Sequence, residues 1–199
     1  PAGAAEDGPG GKKGSLVPEA RAVLKDMGDY YAGLDSIKMN AALTLSLQGP
    51  NIDQSMDQNM KLTARRPNKM VLKIERRMLG GTAVADGKNL YTHFPDQGAY
   101  VKEQAPTSFD GLTDMPTLSL LYSRSVGPPV LLKLLHTDPY GAFMETVTGG
   151  SYEGAEKVNG RPCHHLRLRQ ERFHWDAWIR KGEKPVLEKV RGNLSALYR

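Results

Sequence analysis

The chain contains a single cysteine, few aromatic residues and no long apolar run. Cys163 has no second cysteine to pair with, which excludes an internal disulfide. Phe (4) and Trp (2) together number six, and no basic run is interleaved with aromatics, which argues against nucleic-acid binding. The longest leucine-rich stretch, PPVLLKLLH, includes a lysine and is too short to span a bilayer.

The remaining composition is that of an ordinary soluble domain. Of 199 residues, 39% are hydrophobic and 25% are charged, which is enough for one domain with a real core. Lysine and arginine exceed the acids by five. This excess suits an anionic surface and is also typical of a solubilising one. No signal peptide is visible, and the chain begins at Pro1, so an export signal removed upstream is one explanation and a trimmed chain is another.

The N-terminal part predicts a leader and then a helix. Residues 1–15 consist of Gly, Pro, Ala and charged residues with almost nothing to bury, and we expect a disordered leader or linker there, followed by one domain over 16–199. Pro18 suits the first turn of a helix. Apolar residues at three- and four-residue steps then predict an amphipathic helix over about 18–33; they are Ala20, Val23, Leu24, Met27, Tyr30, Tyr31 and Leu34.

An alternating pattern dominates the chain after this helix. Residues 37–48 alternate apolar and polar side chains, the mark of a strand with one buried face. Further strands are predicted at 56–64, 70–74, 82–85, 88–94, 99–103, 143–152, 155–158, 161–170, 173–180 and 185–192. The connections within the first group are too short for crossovers, so the sheet is antiparallel. A sheet of about eleven strands with one apolar face must curl around something.

Two short helices interrupt the strands. Leucine-rich segments at about 117–123 and 129–136 are separated by Gly127-Pro128-Pro129. Their apolar faces, with that of the N-terminal helix, are free to fill the space under the sheet. Residues that point inward on the strands and helices are the candidate lining of this space; they are Met27, Met39, Leu43, Leu45, Met60, Leu62, Met70, Leu72, Ile74, Leu120, Leu121, Leu131 and Leu134. Flexible methionine and leucine side chains suit acyl chains, although the same stripe is typical of an ordinary core.

Enzyme-like motifs are weak. Cys163-His164-His165 resembles a nucleophile pair or a partial metal site, but adjacent strand residues face opposite ways, so we predict no metal site and no catalytic residues. His164 is expected on the face of Leu166 and Leu168. Asp86-Gly87 is interpreted as a type I′ turn rather than a phosphate loop. No pair of carboxylates stands out as an acid and base, and no cofactor is predicted.

A pair of arginines, Arg65-Arg66, stands at a strand end just before Pro67. An arginine there can donate several hydrogen bonds to helix carbonyls, or it can simply be solvated.

Two strings resemble a known family. RRPNKM (65–70) and VADGKNLY (84–91) are similar to the "RPN, then SDGK-x-LW" signature of the periplasmic lipoprotein carrier LolA and its sensor relatives. The order of helix, meander, two hairpins, helical insert and returning strands is similar too. The stretch 158–190 resembles a family of predicted periplasmic proteins of unknown function that share this fold. Tyr91 stands where the carriers often have tryptophan.

The resemblance implies an α+β fold in which the sheet forms an unclosed β-barrel, with the helices as plug and lid. In the carriers, acyl chains enter when the lid swings, and the arginine preceding the RPN proline, here Arg66, holds the lid shut through helix carbonyls. The resemblance also implies an exported, periplasmic protein.

We therefore expect a non-enzymatic carrier or sensor that binds a lipid or lipoprotein acyl chains and contacts membranes peripherally. The alternative is a protein-interaction module of a larger envelope protein, with an envelope protein partner and no lipid. The third hypothesis is an enzyme built on Cys163 and the adjacent histidines, His164 and His165.

Overall fold

The structure is a computed structural model that describes residues 15–49, 52–76, 80–112, 114–122, 127–170 and 174–193. These residues form four α-helices and ten β-strands in an α+β arrangement. They divide into two compact units. One unit is Gly28–Ala142, and the other contains the described residues up to Met27 and from Phe143 onward.

The helices are α1 (Pro18–Ala32), α2 (Pro116–Tyr122), α3 (Gly127–Lys133) and α4 (Pro139–Met144). The strands are β1 (Ser36–Gly49), β2 (Ile52–Arg65), β3 (Lys69–Arg76), β4 (Gly81–Asp86), β5 (Asn89–Phe94), β6 (Ala99–Gln104), β7 (Val147–Val158), β8 (Arg161–Gln170), β9 (His174–Arg180) and β10 (Leu187–Asn193). Short 3₁₀ turns lie at Pro95–Gln97 and Phe109–Gly111.

Helix α1 forms where the apolar spacing predicts it. Pro18 occupies the first helical position, and Glu19 places an acidic side chain in the first turn, where it favours the positive end of the helix dipole. Four of its side chains, spaced by three or four residues, are almost fully buried; they are Ala20, Leu24, Met27 and Tyr31. The buried stripe is the reason why this segment is helical.

The unit Gly28–Ala142 contains a six-stranded antiparallel meander in the order β1-β2-β3-β4-β5-β6. The alternation expected from the sequence is present, since Met60, Leu62 and Ala64 are buried while Lys61 and Thr63 are exposed. The connection between β4 and β5 is only two residues long, which requires the antiparallel pairing.

The other unit contains a four-stranded antiparallel sheet in the order β10-β9-β8-β7. Asn159 and Gly160 join β7 to β8 with φ of 51° and 78°, the two positive values of a type I′ turn. The buried face of this sheet carries Leu166, Leu168 and Trp175, and the ring of Phe143 lies 6.0 Å from that of Trp175.

Two sequence-based boundaries are wrong in this unit. Phe143 and Met144 are the last two residues of α4, whereas the sequence predicted a strand beginning at residue 143. The strands predicted at 143–152 and 155–158 are a single strand, β7, whose register with β8 shifts between Tyr152 and Gly154. Gly154 has a φ of 111°, so a bulge bends the strand without ending it.

The described residues therefore form ten strands where about eleven were predicted. Each sheet keeps two edge strands, so neither closes on itself. The curled barrel and the single domain over 16–199 stay predictions, and the expected leader, apart from Ser15, lies outside the described residues.

Candidate functional site

The buried face of the six-stranded sheet is built from rows of residues that lie directly opposite one another on neighbouring strands and therefore share a face. One row crosses all six strands and is called here the central row; its members are Met39, Leu62, Leu72, Ala83, Thr92 and Val101. The parallel row is Ile37, Ala64, Met70, Ala85, Leu90 and Glu103. In the central row the exposed fraction is 1% or less from Leu62 to Thr92 and rises to 39% at Val101.

Helix α2 covers part of this face. It packs on β4 and β5 and buries Leu118 and Leu121. The approach is close, because a Cβ added to Gly81 would lie 2.7 Å from the Cδ1 atom of Leu121. The hydroxyl of Thr117 in α2 also donates to the carboxylate of Glu103 in β6. Helix α2 is thus attached to the sheet by apolar packing and by the contact between Thr117 and Glu103 at the sheet edge.

The structure brings most of the predicted lining residues together in this unit. Eight of them are 6% exposed or less and belong to the sheet or to the segment 116–136; they are Met60, Leu62, Met70, Leu72, Ile74, Leu121, Leu131 and Leu134. Met39 is partly exposed. Met27 is buried, but it belongs to the other unit. Leu43 and Leu45 lie on β1 opposite Gln58 and Met56, and their side chains lie outside the part of the chain that the structure describes.

The inward orientation expected of Leu120 is wrong. Its side chain is 66% exposed, while Leu118 and Leu121 are buried. In a helix, residues three apart share a face. Because Leu118 and Leu121 face the sheet, Leu120 lies on the outer side of α2.

Arg66 donates to backbone carbonyls near two helices, as the resemblance to the carriers implies for it, while its role as a gate stays a prediction. Its Nε atom donates to the carbonyl oxygen of Leu34 at 3.0 Å, and its Nη1 atom donates to that of Leu135 at 2.7 Å. Its Nη2 atom donates to the carbonyl oxygens of Tyr31 and His136, both at 3.1 Å. We call this set of four hydrogen bonds the Arg66 clamp. It joins the strand end at β2 to the end of α1 and to the turn after α3.

The chemistry of the clamp derives from the helix ends. The carbonyl of Tyr31 belongs to the last turn of α1, and those of Leu34, Leu135 and His136 lie in the segments directly after α1 and α3. A guanidinium with a planar fork of five N–H donors satisfies several such carbonyls at once. After α3 the chain tightens into i→i−3 hydrogen bonds, such as Leu134 N to Leu131 O at 3.2 Å. The carbonyls of Leu135 and His136 belong to this turn and accept hydrogen bonds from Arg66.

Asn68, two residues further on, connects the two motifs. It is 6% exposed, and its Nδ2 atom donates to the carbonyl oxygens of Gly87 at 3.0 Å and Pro106 at 2.8 Å. The hairpin that it contacts is closed by Asp86, whose Oδ1 atom accepts from the backbone N–H groups of Asn89 and Lys88, both at 2.7 Å. These two hydrogen bonds lower the pKa of Asp86.

The type I′ turn expected at Asp86-Gly87 is wrong in detail. The central residues are Gly87 and Lys88, and of these Gly87 alone has a positive φ, 101°. A positive φ at the first central position only is the pattern of a type II′ turn with glycine first. Asp86 is the last residue of β4, and its side chain stabilises the turn from that position.

Cys163, His164 and His165 do not converge. His164 shares the buried face of β8 with Leu166 and Leu168, as expected, and its Nδ1 atom lies 3.0 Å from the hydroxyl of Tyr152. Burial lowers its pKa. Burial also raises the pKa of Cys163, which keeps the thiol protonated and poorly nucleophilic. Among the described residues, no group of three His, Cys, Asp or Glu side chains is placed to hold a metal ion.

The polar face of the four-stranded sheet carries an ionic network centred on Asp176, which is 6% exposed. Its carboxylate accepts from Arg191 Nη2 at 2.8 Å and Arg167 Nε at 3.3 Å, and lies 3.1 Å from His165 Nε2. Burial alone would raise the pKa of Asp176, but the hydrogen bonds from Arg191 and His165 and the charges of both arginines hold it below the ordinary value. The ring of His165 stacks on Trp178 at 4.4 Å.

Thr92 is a residue of the site that the sequence analysis did not single out. It is fully buried in the central row, and its hydroxyl has no hydrogen-bond partner among the described residues. The signal was present in the sequence, because the alternation in NLYTHF places Thr92 on the same side as Leu90.

Comparison with known proteins identifies the family. A sequence model of the family described as "Predicted periplasmic protein (DUF2092)" matches residues 20–193. The chain belongs to this family. The match confirms the resemblance noted for residues 158–190, and the family description confirms the predicted periplasmic localisation. No curated protein matches the sequence.

Several solved structures are similar over most of the chain. LprF from Mycobacterium bovis is 16% identical, with a TM-score of 0.47 and coverage of 90% of this chain and 89% of that one. The lipoprotein LppX from Mycobacterium tuberculosis is 14% identical, with a TM-score of 0.43 and coverage of 90% of both chains. A LolA superfamily protein from Nitrosomonas europaea is 12% identical, with a TM-score of 0.34 and coverage of 89% of this chain and 72% of that one.

Within the described ranges of this family member, no helix has both the length and the apolar character needed to cross a membrane.

Proposed function

We propose that this protein is a non-enzymatic periplasmic carrier or sensor that binds the acyl chain of a lipid or lipoprotein against the buried face of its six-stranded sheet. The observation that carries the proposal is the Arg66 clamp. One side chain directly after β2 holds carbonyls at the end of α1 and in the turn after α3, and α3 follows in the chain on α2, the helix that packs on the sheet.

The covered face has the chemistry that an acyl chain requires. Between Leu62 and Ala83 the central row is apolar and fully buried, and Met60 and Met70 in the flanking rows add flexible, polarisable side chains. The resemblance to the LolA carriers implies the same use of such a face. An acyl chain would replace α2 as the partner of the sheet.

Exchange between helix and ligand is energetically reasonable. Burying one C16 chain contributes on the order of 10 kcal/mol gross, at about 0.8 kcal/mol per CH₂ group. Moving α2 away from the sheet uncovers its buried Leu118 and Leu121, and moving α3 with it breaks the contacts of the clamp to Leu135 and His136. These costs oppose the gain, so the clamp would set how readily the ligand is released.

Native mass spectrometry of freshly purified protein tests the proposal. We expect a co-purified lipid, and we expect it to be lost in an Ala83→Leu variant, because the added carbons project from a fully buried position of the central row. Ala42→Leu on the same sheet is the matched control, since it adds the same three carbons at an exposed position of β1. Urea denaturation checks that both variants fold. If wild-type protein neither retains a lipid nor binds an added acyl chain, the carrier proposal is abandoned.

A second candidate, the interaction module, is favoured by strand β6. This edge strand is exposed at five of its six positions, and Tyr100 is 73% exposed. An edge strand presents unpaired backbone groups that an extended segment of an envelope protein can join. Capture of one periplasmic partner by lipid-free protein, abolished by Val101→Pro, would support this function over the carrier.

A further inference from the structure

The buried face of the six-stranded sheet carries a hydroxyl whose role the core does not explain. Thr92 has 0% exposed surface, and its Oγ1 atom has no hydrogen-bond partner among the described residues. Its neighbours across the sheet are Ala83 and Val101, neither of which offers a polar side chain. Asn68, which is also buried in this unit, donates two hydrogen bonds instead.

A hydroxyl buried without a partner destabilises a fold, because it loses its hydrogen bonds to water. Valine has nearly the shape of threonine and fills the same space without that cost, and it is also a strong strand former. A threonine at this position is therefore unfavourable for the closed protein alone. The hydroxyl becomes favourable once an acceptor enters the row.

The position of Thr92 in the central row indicates what that acceptor is. Val101, one strand away at the edge of the sheet, is 39% exposed, whereas the row is fully buried from Thr92 to Leu62. An acyl chain lying along this row would keep its polar head at the open edge and its tail against Leu72 and Leu62. The first polar atom of the buried part is then the acyl carbonyl oxygen, which falls beside β5. Helix α2, which packs on β4 and β5, would have to move to admit it.

We propose that Thr92 donates a hydrogen bond to the carbonyl oxygen of a fatty acyl ester, so that the protein selects acyl esters over alkyl chains that lack this carbonyl. The inference rests on the proposed carrier function and adds the class and the orientation of the ligand. Thr92 acts in recognition, and no bond is made or broken.

Two lysophospholipids that differ only in this group provide the test. They are 1-palmitoyl-lysophosphatidylcholine, an ester, and its 1-O-hexadecyl ether, both kept below the concentrations at which they form micelles. Displacement of a fluorescent acyl probe gives the dissociation constant of each for wild type, Thr92→Val and Thr92→Ser. The ester-to-ether ratio of each variant is compared with that of wild type, which cancels the intrinsic difference between the lipids.

We expect Thr92→Val to lose roughly 3- to 10-fold of the ester preference, the range for one neutral hydrogen bond. Thr92→Ser keeps the hydroxyl and is expected to keep the preference. Thr92→Val should bind the ether as wild type does, which shows that the variant is folded. An unchanged ratio in Thr92→Val overturns this inference and leaves the carrier function standing. If wild type binds neither lipid, the carrier function fails, and this inference fails with it.

Discussion

Replacing Arg66 by leucine tests whether this residue controls ligand release, as a gate, or only stabilises the fold. The substitution removes all four hydrogen bonds of the Arg66 clamp while keeping the aliphatic stem at the end of β2. Each bond from a charged donor contributes about 1.5–3 kcal/mol. The four share one half-buried side chain, and the freed carbonyls regain water, so they do not add fully. We expect a loss of about 3 kcal/mol, or roughly two orders of magnitude in the ratio of closed to open protein.

The two consequences of this loss have opposite signs. The ligand-free protein becomes easier to unfold, which urea denaturation measures. If the clamp competes with the ligand, the variant also binds an acyl chain more tightly and releases it more slowly, because closing no longer drives the ligand out. The assay loads the protein with a fluorescent acyl lipid and follows transfer to acceptor vesicles that carry a quencher.

Arg65→Leu is the matched control, since Arg65 is the exposed residue directly before Arg66 and the last residue of β2, and we expect it to leave transfer unchanged. Arg66→Lys, which has no planar fork, should fall between wild type and Arg66→Leu. Unchanged transfer in Arg66→Leu would refute the gate, and weaker binding together with lower stability would reduce the arginine to a structural role.

Three further changes test other contacts. Asn68→Ala leaves the carbonyls of Gly87 and Pro106 without their buried donor and should lower the free energy of unfolding by about 2–3 kcal/mol; an effect below about 0.5 kcal/mol in urea denaturation would contradict this. Asp176→Asn should lower the free energy of unfolding at pH 7 by about 2–3 kcal/mol. Because the pKa of Asp176 is lowered by folding, its stabilisation is present above the unfolded pKa of about 4 and is lost as the pH falls through the folded value. The difference between Asp176→Asn and wild type should therefore shrink in denaturation curves measured near pH 3, and a gap that stays constant with pH would count against the ionic network. Gly81→Ala should displace α2, because the new Cβ would lie 2.5 Å from the carbonyl oxygen of His93 and 2.7 Å from Leu121 Cδ1, and hydrogen exchange in 116–122 should rise. Gly33→Ala, where a Cβ would meet only ordinary contacts of 3.6 Å, is the comparison and should leave exchange there unchanged.

Alternation was sufficient to predict the buried side of the six-stranded sheet. Met60, Leu62, Met70 and Leu72 lie where a period of two places them, since a strand cannot change face without a bulge. The contacts of Arg66 were also predictable, but only with the resemblance, because nothing in the two adjacent arginines tells which one turns toward the helices.

The errors arise where local sequence allows two outcomes. Leu118, Leu120 and Leu121 are equally apolar, and only packing against β4 decides that Leu120 stays outside. Gly154 can end a strand or bulge it, and pairing with β8 along the whole of β7 favours the bulge. The exposure of Leu120 and the bulge at Gly154 both depend on contacts with other strands, so the few neighbouring residues in the sequence do not determine them.

Thr92 was missed for a different reason. A search for apolar residues on the inward side of the strand 88–94 finds Leu90 and passes over the polar residue beside it. A residue that disturbs an otherwise uniform apolar row is informative because it costs stability where it stands.

Asn68 makes the strings RRPNKM and VADGKNLY of this chain physically inseparable. Its amide spans from the turn after β2 to the turn after β4, so the asparagine of one string and the glycine of the other are halves of a single contact. A sequence comparison that treats the two strings as independent evidence for one fold therefore counts the same structural contact twice. Transplanting either string alone into another scaffold would import a turn without the neighbour that keeps its shape.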